Sequence, residues 1–555
     1  MIIINKLDKQ FLAVILIALI TFSIGIHWGL PLAVSPETVE PWGVDTIAPL
    51  QPLNEAYYKF SRQGNEWLWY PLFHYIVLDV VYAPYIAFQY LSGNFENPSS
   101  DFPYGMKDPG SFCRDLTLIA RMTSILMALA IIIAIFKITE GLFTRRAAFW
   151  AALIAAIAAP LTFYSKSSNL DVPYLCWTFL AIWQYVNIIR TQKLRYYVLF
   201  SIFVALAVAT KDQAYGFFVL IPFAILIELV RFRSDGKISI KEIIKAVISK
   251  PVVLSVILTI FVYMLANNLI FGGLGGFINR LTRYNELITA KRAQSENIYT
   301  VQSQFATFFS TGQMMLQTLG FGSLILCFLG IFYNIYKKNW FALSILLFVI
   351  SYYLFLISQV LNIHVRYALG FTLILVPFAG YLIDIYLKKT GIMKKFTIFV
   401  LIFSIICQVI LTINLMITLI GDSRYRAERW IKENVPIGTE IESNVLEKFL
   451  PHISDLYDIS VKGVNELNKE VPEEFNSRAL QERNPQYIIV VKGIGVSGDP
   501  DTMEDPSVEQ YFEELISGNL DYTVLVSFKT PNFLSFRQIV ATNPTCTILG
   551  RKSSL

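Results

Sequence analysis

The sequence predicts a multi-pass α-helical membrane protein of about eleven transmembrane helices, followed by a small carboxy-terminal α/β domain. Three observations predict it. Hydrophobic residues make up 55% of the 555 and charged residues only 16%, against about a quarter charged in a soluble domain. Apolar runs long enough to cross about 30 Å of hydrocarbon recur through the first three quarters of the chain. After Gly421 the composition returns to that of a soluble domain.

Apolar windows of about 20 residues place spans near Phe11 to Leu30, Leu116 to Phe136, Ala147 to Phe163, Val172 to Ile189, Tyr197 to Ala209 and Gly216 to Val230. Further windows lie near Val252 to Phe271, Met315 to Tyr336, Trp340 to Val360, Tyr367 to Leu387 and Phe396 to Ile420. Basic residues give the spans a direction. With the amino terminus cytoplasmic, the inside segments hold Lys6 and Lys9, Lys137 with Arg145 and Arg146, and Arg190 with Lys193 and Arg195. They also hold the cations from Arg231 to Lys250, Lys337 with Lys338, and those from Lys388 to Lys395, roughly 20 in all. Apart from the long first loop, the alternate connections hold Lys166, Lys211, Arg280, Arg283, Lys291, Arg292 and Arg366. The positive-inside rule is met in this orientation. The chain is therefore expected in the plasma or inner membrane or the endoplasmic reticulum, with its carboxy-terminal domain extracytoplasmic or lumenal.

Tyr70 to Leu91 is apolar, but as a span it would reverse every later loop. Asp79 and Pro84 interrupt it, so it is read as helices lying in the outer interface. The expected domains are a membrane domain over residues 1–420, with outer loops 31–115 and 272–312, and a soluble domain over residues 421–555. In the latter, Tyr425 to Asn434 and Val508 to Ile516 read as helices, and Tyr487 to Val491 and Tyr522 to Phe528 as strands. No internal repeat is apparent, which counts against a transporter.

Composition also excludes function classes. Cys113, Cys176, Cys327, Cys407 and Cys546 lack the spacing of metal knuckles or redox pairs, so no disulfide framework is expected. His27, His74, His364 and His452 form no zinc motif; no cofactor is required, and a divalent metal is optional. The net charge of +5 sits mostly in short basic loops, which argues against nucleic acid as a partner.

The residues that could carry chemistry gather on the expected outer face. Glu37, Glu40 and Asp45 follow the first span in SPETVEPWGVDTIAP, where prolines stiffen the backbone and a carboxylate could serve as a general base at the membrane surface. A solvated acidic loop would look the same. Asp171, in YSKSSNLDVPYL, occupies a short turn beside Lys166; an Asp there is also a common helix cap. Lys211 and Asp212 interrupt an apolar stretch. They suit either a cation for a lipid phosphate or a pair capping a tight hairpin. His364 and Arg366 stand at the mouth of the tenth span, where Arg either grips phosphate or snorkels to the interface. Arg280 and Arg283 could extend the cationic surface, and Trp42, Trp67, Trp69 and Tyr70 lie nearby in sequence. Together these suit an anionic lipid donor whose leaving phosphate is neutralised by Lys and Arg.

A series of segments then carries a resemblance: EPWGVDTIAP, NEWLWYPLFHY, ARMTSILMALAIIIAIFKITEGLFTRRAAFWAALIAAIAAPLTFYSKSSNLDVPYLCW, ATKDQAYGFFVLIPF, NNLIFGGLGGFINRL and HVRYALGFTLILVPFAG. In this order they resemble the GT-C superfamily of glycosyltransferases, in the branch similar to protein O-mannosyltransferases and the aminoarabinose transferase. The resemblance implies a GT-C-like membrane fold and sugar transfer from a polyprenyl-phosphate carrier, dolichyl or undecaprenyl. It also implies an acidic base in the first outer loop, a second Asp after the third span, and basic residues for the carrier phosphate. By position these fall on Asp45, Asp171 and Lys211, with Arg366 a further phosphate contact. One departure stands out. Many relatives carry an adjacent Asp-Glu pair, and here Asp45 is followed by Thr46. Either Asp45 suffices alone, or Glu40 or Glu37 supplies the missing acid, or the chain has lost catalysis. YPLFHY likewise departs from a YPPLHY-like form, which weakens a specific role for His74.

The function expected is an inverting glycosyltransferase, hexosyl or pentosyl, acting on the non-cytoplasmic face. Its partners would be a polyprenyl-phosphate-linked sugar, an acceptor protein, lipid or glycan, and the membrane lipids. Two other readings of the same charges are a non-catalytic assembly subunit of GT-C fold and a transporter or flippase of a lipid-linked or anionic solute.

Overall fold

The computed structural model describes residues 6–43, 45–61, 70–99, 101–233, 239–272, 300–359, 364–464, 471–503, 505–531 and 542–552, with isolated positions between 275 and 286. The chain is an integral membrane protein with a small carboxy-terminal sheet domain. It divides into two compact units: Met1–Ile24, Gln51–Val81 and Arg121–Thr412 form one, and Gly25–Leu50, Tyr82–Ala120 and Ile413–Leu555 the other. Helices are labelled α1 (Lys6–Ser23), α2 (Gln51–Phe60), α3 (Phe73–Leu91), α4 (Pro109–Leu142), α5 (Arg145–Ala156), α6 (Ala159–Tyr164), α7 (Asp171–Thr191) and α8 (Leu194–Thr210); later ones are named by range.

Among the described residues, seven helices are long and apolar enough to cross a membrane: Pro109–Leu142, Asp171–Thr191, Asp212–Phe232, Val301–Tyr336, Trp340–Gln359, Val365–Leu387 and Ile392–Asn434. A pair bent by 47°, Ile240–Val247 with Lys250–Ala266, would make an eighth. Several windows read from the sequence form shorter or broken helices. The stretch Ala147 to Phe163 divides into α5 and α6 just before Pro160, whose ring and missing N–H oppose a continuous helix. The Ile157 carbonyl at that break accepts from Thr412 Oγ1 at 2.9 Å. Conversely, Pro84 does not interrupt α3, which runs 19 residues through it.

Close approach of small residues packs the membrane unit, as expected where lipid removes the hydrophobic drive between helices. A Cβ on Gly330 would lie 2.3 Å from the Phe378 carbonyl oxygen, and one on Gly380 would lie 2.3 Å from that of Ala147. The helix Val301–Tyr336 kinks at Gly320, where φ is 69°. A broken turn within hydrocarbon needs a substitute donor. Gln408 Nε2 supplies one, donating to the Leu319 carbonyl at 2.6 Å and to Ser323 Oγ at 2.8 Å.

In the second unit, strands β1 (Glu440–Ser443), β2 (Asp458–Val461), β3 (Tyr487–Lys492), β4 (Tyr522–Phe528) and β5 (Thr545–Arg551) form one sheet in the order β2-β1-β3-β5-β4. β2, β1 and β3 run parallel, whereas β5 is antiparallel to both its neighbours. One apolar layer joins Ala427 and Ile431 of the helix Ser423–Asn434 to Ile441, Ile489 and Ile548. The other joins Leu480, Val508 and Phe512 to Ile488, Val490 and Leu549. Alternating strand positions thus feed opposite layers. The expected helices and strands recur as Ser423–Asn434, Pro506–Ser517, β3 and β4. β1, β2 and β5 complete the sheet.

Candidate functional site

The membrane unit joins two of the residues singled out from the sequence. α7 and α8 are linked only by Gln192 and Lys193, so the start of α7 and the end of α8 are neighbours. Asp171 is the first residue of α7. Asn169 Oδ1 accepts from the Asp171 backbone N–H at 3.1 Å, and its Nδ2 donates to Asp171 Oδ2 at 3.0 Å, which aims the carboxylate. α8 ends at Thr210, where Lys211 turns extended with φ −150° and ψ 120°. Lys211 Nζ donates to Asp171 Oδ1 at 2.6 Å, with side-chain exposures of 4% and 1%. The carboxylate is therefore an ion-pair partner and not a helix cap, and Lys211 pairs with Asp171 rather than with Asp212.

Aromatic rings surround this pair. The ammonium lies 5.9 Å from the centroid of Tyr70 and 5.5 Å from that of Tyr174. Tyr352, fully buried, lies within electrostatic reach of Asp171, Tyr174 and Arg366. The Arg366 guanidinium sits 5.3 Å from the Tyr367 ring. Asp171, Lys211 and Arg366 thus belong to one polar cluster, joined by tyrosines. Behind it, Lys166 donates to the Thr21 carbonyl at 2.9 Å and to that of Ile24, which ties the 165–170 turn to the end of α1.

The acidic segment after α1 belongs to the second unit, where carboxy-terminal residues hold it. Trp42 is 1% exposed. Its ring lies 3.7 Å from the Arg424 guanidinium and 4.7 Å from the stacked His452 ring, and its Nε1 donates to the Leu450 carbonyl at 3.2 Å. Burial lowers the His452 pKa to about 4, with Arg424, Lys432 and Arg114 acting in the same direction. Arg424 forms a fully buried pair with Asp422, through Nε at 2.9 Å and Nη2 at 2.8 Å. Asp422 also accepts from Trp28 Nε1 at 3.0 Å. Gly29 adopts φ +53°, and a Cβ there would meet the Trp42 Cβ at 2.3 Å, so only glycine fits.

On this anchored segment the three acids differ. Glu40 pairs with Lys448 at 2.9 Å, and Glu37 is exposed. Asp45 is exposed with φ 54°, a conformation uncommon outside glycine that clusters at functional sites. Thr46, in the place of the expected second acid, donates its hydroxyl to the Pro41 carbonyl at 3.3 Å. Arg280, Arg283, Trp67 and Trp69 lie outside the described residues. His74 is 1% exposed. Among the described residues, no three His, Cys, Asp or Glu side chains converge as a metal-binding set would. The sequence reading did not single out Asn169, Tyr174, Tyr352, Asp422 or Arg424. The one local signal was Asn169, two residues before an Asp.

Residues 114–263 match the family model described as dolichyl-phosphate-mannose-protein mannosyltransferase. This agrees with the GT-C resemblance drawn from the sequence. No curated protein matches the chain by sequence. Solved structures similar to it include ArnT from Cupriavidus metallidurans in the apo state, with 11% identity, a TM-score of 0.45 and 99% of each chain covered. The apo oligosaccharyltransferase of Archaeoglobus fulgidus is another, with 13% identity, a TM-score of 0.43, and 96% of this chain and 76% of that chain covered.

Proposed function

We propose that the chain is an inverting glycosyltransferase that moves one sugar from a polyprenyl-phosphate donor to an acceptor hydroxyl, on the membrane face opposite its basic loops. The observation that carries this reading is the buried Asp171–Lys211 pair at 2.6 Å, inside the segment that matches a family named for a dolichyl-phosphate-linked mannose donor. A leaving phosphate gathers negative charge as the anomeric C–O bond breaks, and a desolvated cation lowers that barrier most. Lys211 and Arg366 would supply the charge. Asp171 would hold the ammonium in place until the phosphate competes for it, and would then be free to orient the sugar or acceptor.

Asp45 would act as the base. It would take the acceptor proton as the hydroxyl oxygen attacks the anomeric carbon from the face opposite the departing phosphate, inverting that centre. Its exposure and the anchoring of its segment by Trp42 support this role. The test is transfer from labelled polyprenyl-phosphate hexose and pentose donors into membranes of expressing cells. Asp45→Asn should abolish transfer while leaving folding and donor binding intact; undiminished transfer would reject the assignment. Thr46 favours a second reading, a non-catalytic assembly subunit, because its hydroxyl closes a turn where an acid was expected. Donor binding without transfer by the unaltered chain would favour that reading.

A further inference from the structure

We propose that the far ends of α4, α7 and α8 form a binding site for the head group of an anionic phospholipid. The site does not rest on the transferase reading. A cavity of about 500 Å³ opens there, lined by Lys137, Arg190 and Arg195 and walled by Trp183, Tyr196 and Phe203. One carboxylate, Glu140, also lines it, and it is engaged by Lys137 at 2.9 Å and by Arg145 at 3.6 Å. Cations therefore outnumber anions at its mouth. The sequence brings them together through a close helix approach: a Cβ on Gly141 would lie 2.8 Å from Val186 Cγ1 and 3.7 Å from Arg190 Nη1. Glycine thus lets α4 meet α7 with the Arg190 guanidinium alongside. Arg195 is set from the other side, donating to the Tyr196 hydroxyl at 2.6 Å with its guanidinium 4.6 Å from that ring.

The ligand chemistry follows from this lining. Exposed guanidinium forks match the oxygens of a phosphodiester, and basic pockets between transmembrane helices suit anionic lipid head groups. Apolar and aromatic walls suit the glycerol and the first acyl carbons, which a soluble phosphate lacks. α7 has 21 residues and α8 has 17, so at about 1.5 Å per residue the cavity lies about one bilayer thickness from Asp171 and Lys211. An anionic lipid would therefore clamp one end of the hairpin whose other end holds that pair.

The purified chain in uncharged detergent provides the test, by native mass spectrometry and thermal unfolding with phosphatidylglycerol, phosphatidylcholine or inorganic phosphate. Phosphatidylglycerol should remain bound and raise Tm, whereas the other two should not. Arg190→Gln and Arg195→Gln should each weaken phosphatidylglycerol binding roughly fivefold, and the double variant more. Lys241→Gln, an exposed cation outside the cavity, should leave binding unchanged. Should the double variant fail to fold, Arg195→Gln alone decides, because its side chain is exposed. Unchanged phosphatidylglycerol binding in the Arg variants would overturn the proposal. A Tm shift reproduced by inorganic phosphate would overturn it too, in favour of a soluble phosphate.

Discussion

Each unit of the molecule holds a buried acid–base pair, and the two differ in how fully their hydrogen bonds are used. In the second unit, Asp422 accepts from Arg424 N, Nε and Nη2, from Trp28 Nε1 and from the Asn543 backbone N–H. Arg424 in turn donates to the Phe449 carbonyl and lies against Trp42. Little capacity is left for a ligand. In the membrane unit, Asp171 accepts from Lys211 and Asn169, and Lys211 gives Asp171 one of the three protons an ammonium can donate. Among the described residues the first pair is saturated, as a fastener is, whereas the second keeps capacity to exchange partners.

Replacing both partners of each pair would sharpen this contrast. Removing an isolated buried pair in favour of apolar residues is often close to neutral. Asp422→Leu with Arg424→Met would instead strand Trp28 Nε1, the Asn543 N–H and the Phe449 carbonyl. Each buried orphan costs about 1 to 3 kcal/mol, so several kcal/mol of stability should be lost and the carboxy-terminal unit should unfold first on heating. Asp171→Leu with Lys211→Met should cost under about 2 kcal/mol, yet lower sugar transfer by about a hundredfold or more through the lost phosphate charge. Denaturant melts and transfer assays on both double variants decide it. The opposite ranking would mean that the membrane pair is the fastener.

The difference between the pairs also explains what was legible beforehand. Asp171 and Lys211 could be picked out singly because ionisable groups inside apolar runs are costly and conspicuous. Their meeting follows from the tight α7–α8 connection, which the periodicity only implied. Asp422 and Arg424 were not singled out, because a charged pair in a segment of soluble composition is ordinary and its partners Trp28 and Trp42 lie some 400 residues away in sequence. Hydropathy located most helices, but it could not show that α5 and α6 are separate or that Val301–Tyr336 kinks at Gly320. Those breaks depend on donors from distant residues, Thr412 and Gln408. β1 and β2 were missed because each has only four residues, too few for an alternating pattern to register.

The fastener also carries a pH signature. The His452 ring, stacked on Trp42, is held neutral by burial and then by the nearby cations, with its pKa lowered from 6.5 to about 4. Below about 6.5 the unfolded imidazole takes up a proton that the folded one refuses until about 4. Across that window the unfolded chain binds more protons, so stability falls as pH falls. His452→Phe, which keeps a ring on Trp42, should flatten the dependence between these values. Tm measured in steps from pH 7 to about 4 tests this; an equally steep loss in the variant would place the titrating group elsewhere.

The smallest expected effect concerns the acid nearest the fastener. Glu40 and Lys448 meet at 2.9 Å, but their side chains are 37% and 30% exposed. Water and salt screen such a pair, so Glu40→Gln should cost under about 1 kcal/mol, less still at high salt. Transfer should be retained, because this carboxylate is already engaged by the Lys448 ammonium. Asp45 is exposed and stands on the same anchored segment. If Glu40→Gln abolishes transfer while Asp45→Asn retains it, the base is Glu40. The contact with Lys448 would then be one that opens when the acceptor binds, and the second unit would do more than hold the segment still.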